Sequence, residues 1–261
     1  MATVIMNSTN THTLVTIITI VSNNVQTIRN AIQSVAYQDY GNIEHIVIDN
    51  CSTDGTLEAI NEQKDDISLI LSEPDEGIYY ALNKGIKLAN GEIVGFLNSD
   101  DVLKNRNTIS TIVKNLTLSN TEAVYGDLQY FSKQRPNRIT RRWKSNIYSS
   151  HKFRQGWMPP HPTFYTYKKI YIKYGFFDIS YKISSDYDMM LRLLYEKKIK
   201  AKYIPEVLVK MQRGGVSNQN FKSILLKTKE DFLIMKKYNF SFLTLINKTL
   251  RKFSQFIFRG K

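Results

Sequence analysis

Between Leu14 and Leu97 the chain alternates short β-branched apolar runs with stretches whose apolar residues recur at helical spacing. Leu14-Val-Thr-Ile-Ile-Thr-Ile-Val21 is apolar almost throughout, the pattern of a strand covered on both faces. Val25, Ile28, Ile32 and Val35 follow at helical spacing, so Asn23-Asn24 opens a helix. Glu44 to Asp49 reads as a second buried strand that ends in a carboxylate. Leu57 and Ile60 mark a short helix, Ile67 to Leu71 a third strand, and Ile78 to Leu88 a helix. The turn Asn90-Gly91 leads into a fourth strand, Glu92 to Leu97, which runs straight into Asn98-Ser99-Asp100-Asp101. Such alternation gives right-handed βαβ units around a parallel sheet, an α/β fold.

Ligands of open α/β sheets sit beyond the carboxyl ends of the strands. Asp49, Asp75 and the pair Asp100/Asp101 all fall at predicted strand ends or in the loops just past them, so one rim of the sheet is acidic. Adjacent carboxylates repel unless a cation or hydrogen-bond donors compensate. A hard Mg²⁺ or Mn²⁺ takes oxygen ligands and commonly bridges one or two carboxylates to substrate phosphates. A solvated turn, or helix capping ahead of Val102, would use the same residues. Asp49 suits a ribose hydroxyl or a base N–H, and Asp54 suits a helix cap. Lys84, one helix after Asp75, either neutralises a diphosphate or lies on a solvated helix face.

Past about Asn120 the regularity weakens. Ala123 to Asp127 reads as a strand, and the basic stretch from Lys133 to Arg154 as a long irregular loop. A later helix carries Asp186 and Asp188 near its start. Helix-capping and first-turn acids are also favoured there by the helix dipole, which suits Asp188.

With these loops in order, the chain resembles family 2 glycosyltransferases of the GT-A fold, closest to bacterial enzymes that build surface polysaccharides. The likeness runs from about Val15 to Ser217. Asp49-Asn50-Cys51-Ser52-Thr53-Asp54-Gly55-Thr56 matches the family's first acidic loop, and Ser72 to Gly85 the segment before its fourth strand. Asn98 and Asp100 take the outer positions of its Asp-x-Asp motif, with Asp101 adjacent. Asn98 brings no charge to a metal, so the resemblance leaves that role to Asp100 or Asp101. It implies a nucleotide-sugar donor, UDP by family habit, held by Thr19, Asn23, Asp49, Asp54, Asp75, Lys84, Asn98, Ser99 and Asp100, with Mn²⁺ or Mg²⁺ as cofactor. It assigns the catalytic base of an inverting transfer to Asp186 within Ser184-Ser185-Asp186-Tyr187-Asp188, where Ser185 replaces the usual Glu. Gly156 to Phe164 has a counterpart in the family, where a His follows the acceptor-side loop, so His161 would touch phosphate, metal or acceptor; Trp157 offers a stacking face for a sugar. Gly214, in the family's late glycine loop, would approach the donor phosphates. The expected acceptor is a glycan, free or carried on a polyprenyl diphosphate.

The formal net charge is +13, which implies an anionic partner. The segment from Phe221 holds ten Lys/Arg against Glu230 and Asp231, so it supplies +8 of that total. Phe240, Phe242, Leu243, Leu245, Ile246, Phe253, Phe256 and Ile257 give it a broad apolar face. Such a basic amphipathic tail either lies in an anionic membrane interface or packs on the domain. The expected organisation is a catalytic domain over 1–220, with a nucleotide half at about 14–127 and an acceptor half at about 128–220, followed by a helical tail at 221–261. Met1 to Thr13 is not read as a signal peptide, and no run is long enough to span a bilayer. A cytoplasmic protein, either soluble or peripheral on the inner face of the membrane, is expected. A nucleotidyltransferase or dehydrogenase would want a glycine-rich turn after the first strand, which Thr19 to Asn24 lacks. A nucleic-acid binder is disfavoured because the positive charge lies in the loop and tail while the rim is acidic.

Overall fold

The structure is a computed structural model that describes residues 13–132, 135–212 and 221–257. Its first half is β1 (Val15–Val21), α1 (Ile28–Ala36), β2 (Ile43–Asp49), α2 (Thr56–Asn61), β3 (Leu69–Ser72), α3 (Ile78–Leu88) and β4 (Ile93–Phe96). The four strands are parallel in the order β3-β2-β1-β4. All of β1 but Ile20 is buried, because helices cover both faces of the sheet. In α1 the buried residues are Ile28, Ala31, Ile32 and Val35, one stripe of a 3.6-residue period.

The second half continues the same sheet. After β5 (Asp101–Leu103), α4 (Thr108–Thr117), β6 (Ala123–Ser132), β7 (Arg135–Trp143) and α5 (Ser150–Arg154) come β8 (Tyr165–Tyr167), α6 (Lys168–Tyr174), α7 (Ser185–Met190) and β9 (Ala201–Gln212). The full order is β3-β2-β1-β4-β8-β6-β9-β5, with β7 on β6. β8 runs antiparallel between β4 and β6, so the sheet is mixed. Gly95 makes this junction possible, since a Cβ there would lie inside the Tyr165 ring. α7 passes without a break into the π-helical turn Leu191–Glu196.

The stretch expected as a loop over Lys133 to Arg154 is instead largely regular. β7 pairs antiparallel with β6, with Gln129 opposite Arg142 and Leu128 opposite Trp143. It pairs with β6 alone, and such an edge strand tolerates charge on its side chains while β6 supplies its backbone partners. No apolar alternation was therefore there to read. The tail forms α8 (Phe221–Lys237) and α9 (Phe242–Ile257). Ile234, Met235, Tyr238, Phe240 and Leu245 join the core cluster that holds Tyr187, Met189 and Leu194, so the tail packs on the domain. Its outer face leaves Leu225, Phe242, Leu243 and Leu250 exposed.

His45 on β2 is buried, with Nε2 2.9 Å from the Thr19 hydroxyl. Burial drives its imidazole down to about 4 from an ordinary 6.5. The folded state thus holds the neutral ring, and its stabilising effect is complete above pH 6.5 and fades as pH falls toward 4. Between pH 7 and 5 the wild type should lose about 2 kcal/mol more unfolding free energy than His45→Gln, which urea titrations at the two pH values measure.

Candidate active site

The parallel strands deliver three loops to one rim, and polar side chains bind these loops to one another. Asn23, in a left-handed conformation at φ 48°, accepts the Thr53 N–H on Oδ1 at 2.8 Å, and its own N–H donates to Ser52 Oγ at 2.8 Å. The Asn24 N–H donates to Thr56 Oγ1, and its side-chain amide to Ser99 Oγ at 2.9 Å. Thr27 Oγ1 donates to the Ser99 carbonyl. Asp54 accepts the N–H groups of Val25 and Thr56 as well as the Thr56 hydroxyl, which holds its carboxyl below the usual range. Asp49 is buried at the end of β2 and accepts the Ser52 N–H, the Ser52 hydroxyl and the Ser72 hydroxyl. It is an anchor for two loops.

The acidic loop divides its labour. Asp101 is fully buried as the first residue of β5, where it accepts Asn98 Nδ2 at 2.8 Å and the Gln212 N–H at 3.3 Å. Burial, and next the neighbouring Asp100, push its carboxyl well above the ordinary range. Asp100 is half-buried and is also raised, by burial. Its side chain takes a hydrogen bond from its own backbone N–H and from no other residue among the described ones. A cation beside this pair would relieve both shifts, and Asp100 has oxygen ligands open for it. The two carboxylates are hard oxygen donors of the kind such an ion takes, while among the described residues no group of three His, Cys, Asp or Glu side chains is placed to hold one.

Across the rim stands Asp186, half-buried in the first turn of α7. Its Oδ1 accepts the Tyr187 N–H at 2.8 Å. Tyr79 at the start of α3 donates its hydroxyl to the Ile183 carbonyl at 2.7 Å, and that oxygen lies 3.4 Å from Asp186 Oδ1. Asp186 is the next cause after burial that lifts the Tyr79 phenol far above its usual range. His161 stacks on Phe96, at 6.0 Å and 16° between rings, and meets Phe177 edge-on. Burial lowers its imidazole although Asp186 works the other way, and its Nε2 has no hydrogen-bond partner among the described residues. Phe96 is two residues before Asn98, so His161 packs at the foot of the acidic loop, near enough to Asp186 to feel its charge.

Other expected residues sit elsewhere. Thr19 is buried two residues short of the end of β1 with its hydroxyl on His45, and so offers no surface. Lys84 is not on a solvated face: it pairs with Asp75 at 2.7 Å and with Glu73. Burial opposes its charge, but the two carboxylates prevail and raise its pKa. Asp75 keeps Oδ2 buried and without a partner among the described residues. Asp188 is a first-turn acid of α7, as expected, and is buried against Lys237 at 2.8 Å. Gly214 lies outside the described residues.

The family is shown by comparison with known proteins. A model of glycosyl transferase family 2 matches residues 16–183, and the chain belongs to that family. It is 30% identical over 180 residues to an uncharacterized glycosyltransferase of Mycobacterium tuberculosis, covering 68% of each chain. It is 35% identical over 99 residues, 37% of this chain and 39% of the other, to TuaG of Bacillus subtilis, named for teichuronic acid biosynthesis. The fold matches the crystal structure of S. aureus TarS residues 1–349 at a TM-score of 0.64 and 16% identity, over 94% of this chain and 70% of that one. A mannosyltransferase of Pyrobaculum calidifontis, solved in complex with GDP-Man and Mn²⁺, matches at 0.62 and 19%, over 87% and 64%. The chain is therefore a glycosyltransferase enzyme with a GT-A fold.

Tyr79 and Phe177 have no signature in the sequence, because only the fold brings Tyr79 to Asp186 and Phe177 onto Tyr79 and His161. Trp157 was expected as an open stacking face, yet it is 6% exposed. Its ring packs on Tyr125 and Phe153, and its Nε1 donates to the Ser145 carbonyl at 2.7 Å. Trp157→Ala should therefore destabilise the fold by about 3–5 kcal/mol. Trp157→Phe, which loses the hydrogen bond and part of the ring volume, should cost about 1–3 kcal/mol and leave turnover within twofold of wild type. Chemical unfolding and steady-state kinetics read the two effects. A large rise in acceptor KM for Trp157→Phe would instead put this ring at a sugar.

Proposed function

We propose that this glycosyltransferase moves a hexose or N-acetylhexosamine from its UDP derivative, with inversion, onto a hydroxyl of a glycan acceptor in bacterial surface-polysaccharide synthesis. The acceptor we favour is carried on a polyprenyl diphosphate. The observation that carries this reading is the pair of open carboxylates: Asp100 on the acidic loop and Asp186 across the rim. The deeper acids are already bound within the protein. Asn23, Asp54, Asn98 and Ser99 lie in the loops that would meet the donor, while Asp49 and the Asp75–Lys84 pair hold those loops. The unpaired Asp75 Oδ2 suits a ribose hydroxyl or a base N–H.

Asp186 Oδ2 takes the proton of the acceptor hydroxyl as that oxygen attacks the anomeric carbon. The bond from the anomeric carbon to the diphosphate breaks on the opposite face, so configuration inverts. The neutral His161 imidazole is placed to bond the acceptor or a phosphate oxygen. Mn²⁺ or Mg²⁺ held by Asp100 would supply charge neutralisation for the leaving diphosphate. Exposed Leu225, Phe242, Leu243 and Leu250 beside exposed Lys222, Lys229 and Lys236 fit an anionic bilayer surface at the inner face of the membrane. No helix of the described residues is long and apolar enough to cross a membrane.

Release of nucleoside diphosphate from a panel of nucleotide sugars, with Mn²⁺, Mg²⁺ or EDTA, tests the chemistry. UDP-sugars should turn over, EDTA should abolish turnover, and Asp186→Asn should lower kcat by about 10²-fold or more. Wild-type turnover by that variant would remove Asp186 from the base role, and no turnover of any nucleotide sugar would remove the reading. Flotation tests the surface: vesicles with phosphatidylglycerol should carry the protein up, phosphatidylcholine alone should not, and Leu243→Glu should weaken the association.

A further inference from the structure

We infer that α8 is a working part of the active site and that Glu230 on it is a positioning residue for Asp186. The inference rests on the proposed role of Asp186 as base. Glu230 is 5% exposed, although it belongs to a tail rich in lysine. Its Oε1 accepts the Lys182 N–H at 2.8 Å, and its Oε2 accepts the N–H groups of Ile183 and Ser184, each at 2.9 Å. These are the last three amides before α7, and Asp186 is the second residue of that helix. The Ser184 carbonyl in turn accepts the Tyr187 and Asp188 N–H groups. The place where Glu230 holds 182–184 therefore sets where α7 begins.

α8 grips the far side of Asp186 as well. Lys237 Nζ donates to Asp188 Oδ1 at 2.8 Å and the Tyr238 hydroxyl to the same oxygen at 3.2 Å. α9 completes the brace. Lys248 is buried, pairs with Asp231 at 2.9 Å and puts its ammonium 3.2 Å from the centre of the Tyr187 ring. Gly156, at φ +74°, lies against the Lys248 backbone, where a Cβ would collide. The base is thus fixed from residues 182 to 188 by a segment some fifty residues later. A carboxylate is required at 230 because its two oxygens together accept three N–H groups. An amide would offer one oxygen and turn its own donors on the backbone. A shift of about 1 Å in a reacting group can cost about 10²-fold in rate.

The test uses the full chain and UDP release from the nucleotide sugar that wild type hydrolyses fastest. Glu230→Gln should lower kcat tenfold or more, with the donor KM and the Kd for UDP within twofold of wild type. Glu230→Asp keeps the charge one methylene short and should fall between the two. It carries the comparison if thermal melting shows Glu230→Gln unfolded at the assay temperature. Thr228→Ala, on the exposed side of the same helix, should match wild type. In an Asp186→Asn background Glu230→Gln should change the residual rate less than twofold, because its effect passes through Asp186. The same fold-loss in both backgrounds, or wild-type kcat in the Glu230 variants beside an impaired Asp186→Asn, overturns the positioning role alone. Wild-type turnover by Asp186→Asn overturns the base assignment, and this inference with it.

Discussion

A carboxylate taken out of water needs partners, and this requirement shapes the molecule around its site. Asp49 finds two serines, Asp101 an amide side chain and a backbone N–H, Asp188 a lysine and a tyrosine, Glu230 three backbone N–H groups, and Asp231 a buried lysine. Each match ties two segments that are distant in sequence. Asp100 and Asp186 stand out because each is only half-buried and keeps a face toward solvent. The buried acids hold the frame, and the open ones are left to meet ligands.

The rim is rigid by the same means. A parallel sheet with apolar strands ends abruptly in polar loops, and loops without glycine-rich turns must be steadied by side chains. Asn23, Asn24, Thr27, Asp54 and Ser99 do this by bonding side-chain and backbone groups of neighbouring loops. Three loops that begin from three separate strands are thereby joined into one surface. The donor half would reach its binding shape before any substrate arrives, which lowers the ordering cost of binding.

The first half of the fold was legible because its strands are buried on both faces and its helices carry clean apolar stripes. β1 to β4 and their helices lie within a few residues of where Leu14–Val21, Glu44–Asp49, Ile67–Leu71 and Glu92–Leu97 put them. β7 was not legible, since an edge strand of arginines has no pattern beyond its pairing with β6. The acidic loop was readable as chemistry, but not the division between Asp100 and Asp101, which depends on which carboxylate turns inward toward Asn98 and Gln212. Trp157 shows the opposite error: a large amphipathic ring looks like a binding face until the packing of Tyr125 and Phe153 around it is known. Lys84 could not be assigned because its partners Glu73 and Asp75 meet it only after α3 folds back along the sheet. Glu230 carried no signal at all, being one acid in a run of lysines.

The bracing of α7 by α8 and α9 has a consequence for how the enzyme comes into being. Contacts between residues 182–188 and 230–248 are absent while the chain emerges from the ribosome, although β1 to β4 can already pair. The nucleotide side of the sheet can form early, whereas the helix bearing Asp186 gains its setting only when α8 and α9 dock. A nascent chain halted before α8 would have its donor rim assembled but its base unplaced, so catalytic competence would wait for these two helices.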